Sequence, residues 1–94
     1  MRVSNFCLYI MSSLSRTLYT GVTNDLQRCV GEHKEGMPGS FTARYHLNRL
    51  AYFEDFHDID QAIAREKEIK RMTRRQKIKL IESLNPELRD LSQE

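Results

Sequence analysis

Two short apolar runs, FCLYIM (Phe6 to Met11) and TLYTGV (Thr17 to Val22), are separated by the serine-rich segment SSLSR. Each run is brief and rich in aromatic and branched residues, which is the composition of a β-strand. A connection of about five residues is an ordinary hairpin length. An isolated hairpin is at best marginally stable in water, so the rest of the chain must supply a third strand or helices to cover it.

The remaining punctuation meets that requirement. Asn24 with Gln27 reads as a helix N-cap and its capping-box partner, opening a helix to about Glu35. GMPGS, Gly36 to Ser40, breaks it, and Phe41 to Asn48 reads as a loop. RLAYFEDF, Arg49 to Phe56, has strand composition. Asp58 with Gln61 opens a second helix to about Met72. Thr73 with Gln76 opens a third to about Leu84, stopped by Asn85-Pro86. The polar tail, 86–94, is expected to fray. The order is ββαβαα, a mixed α/β fold with a small sheet covered by helices. At 94 residues there is room for one domain and one core, about residues 6–84.

Net charge is only +2, so any preference for nucleic acid must lie in how charge is distributed. The two cysteines, Cys7 and Cys29, are too few for a disulfide scaffold and do not form a C-x-x-C pair. Free thiols and the lack of a long apolar run point to a cytoplasmic protein without a membrane partner.

Four features carry chemistry. Side chains alternate along a strand, so pairing Met11 with Thr17 across the turn would set Tyr9 directly opposite Tyr19. The same pair could equally be core packing. Leu26, Cys29, Val30 and His33 recur at i, i+3, i+4 and i+7, which turns His33 inward and leaves Arg28 about 100° away. Ile59, Ala62, Ile63, Glu66 and Ile69 form another stripe, placing a carboxylate on the face to be buried. A buried ion needs a counter-charge or a metal, so Glu66 either pairs with a cation or holds Mg²⁺ or Mn²⁺. Finally, Lys67, Lys70, Arg71, Arg74, Arg75, Lys77 and Lys79 face only Glu68 in their span, leaving the rest of the chain net acidic. Such a run suits a phosphate backbone or a solvated helix surface. The histidines and cysteines show no zinc-ligand spacing, and no phosphate-binding glycine loop or G-x-S-x-G elbow is present.

Together these segments resemble the GIY-YIG nuclease superfamily, specifically its small single-domain bacterial branch. CLY, Cys7 to Tyr9, stands where the GIY triplet belongs, and YTG, Tyr19 to Gly21, where YIG belongs. GVTNDLQRCVGEHK resembles the following helix, AIAREKEIK the helix of the family glutamate, and SLNPELRDL the Asn-Pro ending. The resemblance implies a three-stranded antiparallel sheet flanked by helices. It also implies a DNA endonuclease that uses one divalent ion, Mg²⁺ or Mn²⁺, held by Glu66. Tyr9, Tyr19, His33 and Asn85 are then the remaining catalytic candidates, with Gly21 allowing close approach. Arg44 and the basic run Lys67, Lys70, Arg71, Arg74, Arg75 and Lys77 are expected to hold DNA.

The family arginine falls eight residues beyond the second glycine, which is Cys29 here. Arg28 or Arg44 would have to replace its charge. The mechanism implied has Tyr9 taking a proton from water, directly or as a phenolate, which requires the site to lower its pKa. The alternative is a degenerate module that binds nucleic acid without cutting it. A helix-turn-helix binder and a purely structural domain are further readings, disfavoured by the hairpin and by the Tyr9, Tyr19 and Glu66 pattern. A domain this small is also in keeping with a protein partner for specificity.

Overall fold

The computed structural model describes residues 6–13, 17–35 and 47–93. The chain forms β1 (Phe6–Ser12), β2 (Leu18–Thr23), α1 (Leu26–Glu35), β3 (Arg49–Phe56), α2 (Ile59–Lys70) and α3 (Arg74–Leu84), followed by a short 3₁₀ turn, Leu91–Gln93. The fold is mixed α/β in the expected ββαβαα order. Its three strands form one antiparallel sheet with β1 in the middle, in the order β2-β1-β3. The breaking segment Gly36 to Ser40 and the candidate Arg44 lie outside the described residues.

Alternation along β1 divides the core in two. Leu8 and Ile10 face one side with Ile69 of α2 and Ile81 of α3. Tyr9 and Met11 face the other with Val30 of α1, Leu47 and Leu50. Each large side chain removed from water contributes about 1.5–3 kcal/mol. Because β1 is buried on both faces, FCLYIM reads as an unbroken apolar run. A register shift between Ile10 and Met11 lets Ala51 and Tyr52, neighbours on β3, both join the first cluster.

The hairpin register differs from the expected one. Met11 pairs with Tyr19, not Thr17, and Tyr9 lies opposite Gly21. The shift is two residues, an even number, so Tyr9 and Tyr19 keep a common face. The caps differ too. Asp25, not Asn24, caps α1: its carboxylate accepts from Arg28 N–H at 3.1 Å, and Cys29 N–H donates to its carbonyl at 3.0 Å. Asp58 caps α2 through Asp60 N–H rather than through a reciprocal box with Gln61. The Thr73–Gln76 box forms as expected. Helix α2 ends at Lys70, and Ile59, expected in the buried stripe, is 43% exposed at the first position of the helix. Among the described residues no helix is long and apolar enough to cross a membrane.

The tail expected to fray is docked. Leu88 packs on the first cluster and Leu91 on the second. Asn85 Nδ2 donates to the carbonyls of Ala51 at 3.2 Å and Arg89 at 2.6 Å, while its Oδ1 accepts from Arg89 N–H at 3.0 Å. Asp90 accepts from Leu50 N–H at 3.1 Å, from Ser92, and from Lys34 Nζ at 2.7 Å. Burial alone would raise the Asp90 pKa, but the bonds from Lys34, Ser92 and Leu50 outweigh it and hold it at about 2.

A carboxyl depressed on folding stabilises the fold above its unfolded pKa, and that contribution fades as pH falls through the folded value. Asp90→Asn is therefore expected to cost about 1–2 kcal/mol near neutral pH. The difference from wild type should shrink between about pH 4 and pH 2. Urea unfolding of both proteins across that range checks it; a constant difference would mean the carboxylate charge does not anchor the tail.

Candidate functional site

Tyr9, Tyr19 and His33 form a triangle on the α1 side of the sheet. The Tyr9 and Tyr19 ring centroids are 6.3 Å apart, and the His33 ring lies 5.6 Å from Tyr9 and 5.7 Å from Tyr19. Tyr9 Oη is 3.2 Å from His33 Nε2. The backbone explains the convergence. The hairpin sets both tyrosines on one face, and the capped start of α1 fixes the rotation that turns His33 toward them.

Gly21 is part of the same construction. A Cβ there would lie 2.6 Å from Tyr9 Oη and 2.8 Å from Cζ. The group that approaches this glycine is the Tyr9 side chain, which lies across it from the neighbouring strand.

Electrostatics assign protonation states. Burial pushes the Tyr9 pKa well above the ordinary phenol range, and neighbouring Cys29, Tyr19 and Glu66 push the same way. Burial lowers the pKa of His33, against a weaker opposing pull from Glu32. The resting site is thus a neutral phenol beside a neutral imidazole. The protein groups alone therefore do not depress Tyr9 toward phenolate. The largest cause is burial, and Cys29, at the family arginine position, adds to it where a cation would have opposed it.

Glu66 comes to the site from the edge of α2. It is close enough to act on Tyr9 through its charge, and its side chain is 21% exposed. Its Oε2 also lies 3.3 Å from Lys70 Nζ, one turn along the helix, where the ammonium is more than half exposed. The reading of Glu66 as one half of an ion pair therefore holds. Among the described residues no group of three or more His, Cys, Asp or Glu side chains gathers to hold a metal. A single carboxylate with water around it still fits Mg²⁺ or Mn²⁺. Mg²⁺ keeps several waters and needs only one or two carboxylates, with substrate phosphate completing the shell.

The orientation of α2 rests on side chains that the sequence reading did not single out. Arg65 Nε and Nη2 each lie 3.1 Å from an oxygen of Glu54 on β3, and Nη1 lies 2.6 Å from Glu68. Tyr52 donates to Glu54 as well. Burial, followed by this bond to Glu54, pushes the Tyr52 pKa up to about 12. Arg65 directly precedes Glu66, so this fork helps fix where Glu66 projects. Alternation in RLAYFEDF places Tyr52 and Glu54 on one face and was the available signal.

Two candidates are not brought to the cluster. Asn85 is 2% exposed, and the bonds that lock the tail engage its amide and carbonyl, so its role is structural. Arg28 is exposed, so the structure does not turn it inward in place of the family arginine. Lys67, Lys70, Arg71, Arg74 and Arg75 are exposed along α2, α3 and their junction, with Lys77 half-buried.

Comparison with known proteins agrees with this geometry. Residues 5–79 match the GIY-YIG catalytic domain. A UPF0213 protein of Clostridium perfringens is 38% identical over 76 residues, covering 81% of this chain and 82% of its own. Another, from Haloquadratum walsbyi, is 39% identical over 75 residues, covering 80% and 84%. The solution structure of a UPF0213 protein of Bacillus halodurans superposes with a TM-score of 0.60 at 25% identity, covering 93% of both chains. The chain belongs to the GIY-YIG family, alongside the small UPF0213 proteins, and carries that family's nuclease-type fold.

Proposed function

We propose that this protein hydrolyses DNA phosphodiesters with the help of one divalent ion. The observation that carries the reading is the Tyr9 hydroxyl set 3.2 Å from a neutral His33, with Glu66 within electrostatic reach. In the His33 tautomer protonated at Nδ1, Nε2 accepts from the Tyr9 hydroxyl. A water attacking phosphorus in line with the 3′-oxygen passes its proton to Tyr9 Oη as the Tyr9 proton moves to Nε2. Tyr9 then relays the proton and need not exist as a free phenolate. Tyr19 packs against both rings and holds them in place. Mg²⁺ or Mn²⁺ at Glu66 would stabilise the charge that develops on the departing oxygen. The exposed cations from Lys67 to Arg75, with half-buried Lys77, would grip the backbone without reading sequence.

The test is cleavage of labelled single-stranded, duplex and branched DNA with Mg²⁺, Mn²⁺ or EDTA. Metal-dependent cleavage by the wild type is the expected result. Absence of cleavage on every substrate, with DNA still bound, would favour a degenerate binding module, the reading to which Cys29 gives weight.

Cys29→Arg run beside the wild type has its own expected outcome. A guanidinium in place of the thiol would put a cation beside Tyr9 and the reacting phosphate, raising the rate by up to about 10²-fold. An unchanged or lower rate would show that the site works without a cation at that position.

A further inference from the structure

The docked tail builds a second feature. An open cavity of about 500 Å³ is lined by Lys34 at the end of α1, Asn48 and Arg49 at the start of β3, and Arg89 and Asp90 of the tail. Three cations face one carboxylate. That carboxylate is committed to the protein: Oδ2 accepts from Lys34, and Oδ1 from Leu50 N–H and both donors of Ser92. The Arg89 side chain is 62% exposed and its Nε lies 3.9 Å from Glu87.

Arg89 arrives at this place because Asn85 grips its backbone at both N–H and carbonyl. Lys34 directly follows His33, so the cavity begins one residue from the tyrosine cluster. It is contributed by the α1 and tail side of the molecule, whereas the Lys67 to Lys77 run lies on α2 and α3. Arg89 and Asp90 also fall beyond residues 5–79, the stretch that matches the GIY-YIG catalytic domain.

We infer that this cavity is a binding site for a backbone phosphate of the nucleic acid, next to the one cleaved, with Arg49 and Arg89 as its principal ligands. The inference rests on the reading of the chain as a DNA enzyme and adds a contact that the basic run does not supply. Planar guanidinium groups suit bidentate recognition of phosphate oxygens. The tail acts as the lock that presents one of them.

The test is binding of a fluorescent DNA duplex in EDTA, so that no metal-dependent cleavage intervenes, at several salt concentrations. Arg49→Gln/Arg89→Gln is compared with the wild type. Each phosphate contact contributes about 0.9 to the slope of log affinity against log salt. The double variant loses that one phosphate contact and is therefore expected to flatten the slope by about 0.9 and to bind several-fold more weakly. The Arg89 backbone makes the lock, so its side chain can change while the tail stays docked, and an unchanged melting temperature checks this. Wild-type affinity and slope in the double variant would overturn the inference alone. Failure of the wild type to bind DNA would overturn the DNA reading and this inference with it.

Discussion

Replacing Glu66 by glutamine is expected to lower divalent-metal-dependent DNA cleavage by about a thousandfold or more. The shape of the side chain is kept, but the charge that holds the ion is lost. Stabilising a departing oxygen by a metal supplies several kcal/mol at the transition state, and each 1.36 kcal/mol is a factor of about ten in rate. The fold should tolerate the change. Glu66 pairs with a Lys70 ammonium that is more than half exposed, and such pairs contribute at most about 1 kcal/mol. Single-turnover cleavage with Mn²⁺, together with a thermal melt, separates the two effects. A folded variant that cuts at the wild-type rate would remove Glu66 from the mechanism. A variant that unfolds would make the carboxylate structural.

Gly21→Ala is expected to cost about 10²-fold in cleavage by a different route. The added methyl would fall 2.6 Å from Tyr9 Oη, inside any tolerable contact. Tyr9 is 4% exposed and sits between the neighbouring strand and α1, so its ring cannot move freely. It can yield only by tilting its hydroxyl away from His33 Nε2, which breaks the relay. Displacements of about 1 Å at a reacting group carry penalties of this size. The accompanying loss of stability is about 1–3 kcal/mol, typical of overpacking. If the relay is the cause, Gly21→Ala and Tyr9→Phe should slow cleavage similarly, and the double variant should be no worse than the slower single. A wild-type rate in Gly21→Ala would show that the position of the phenol does not govern the chemistry.

Much of this architecture is legible in the sequence because its determinants are local. The bounds of β3 and the Thr73–Gln76 box follow from composition and from residues three positions apart. The common face of Tyr9 and Tyr19 survives the shift in register because strand faces repeat every second residue and the shift is two. What is not legible depends on contacts between distant segments. Asn24 and Asp25 are both good capping residues, and only the three-dimensional path out of β2 selects Asp25. The tail looks too polar to pack, yet Asn85 and Asp90 bond backbone groups of β3 more than thirty residues away. The protonation of Tyr9 follows chiefly from its depth of burial, which is not written in spacing. Resemblance marked Cys29 as a departure, while the structure packs its side chain against the cluster that contains Tyr9.

The bond from Leu50 N–H to Asp90 Oδ1 gives this molecule a built-in reporter. It ties the first turn of the tail to an edge of the sheet through one amide proton. Leu50 is 2% exposed, so its solvent exchange depends on whether the tail is seated. A single amide resonance therefore records release of the C-terminal segment without a label and without cleavage of any substrate. Followed during a titration with DNA, it would register whether the nucleic acid tightens the clasp or opens it.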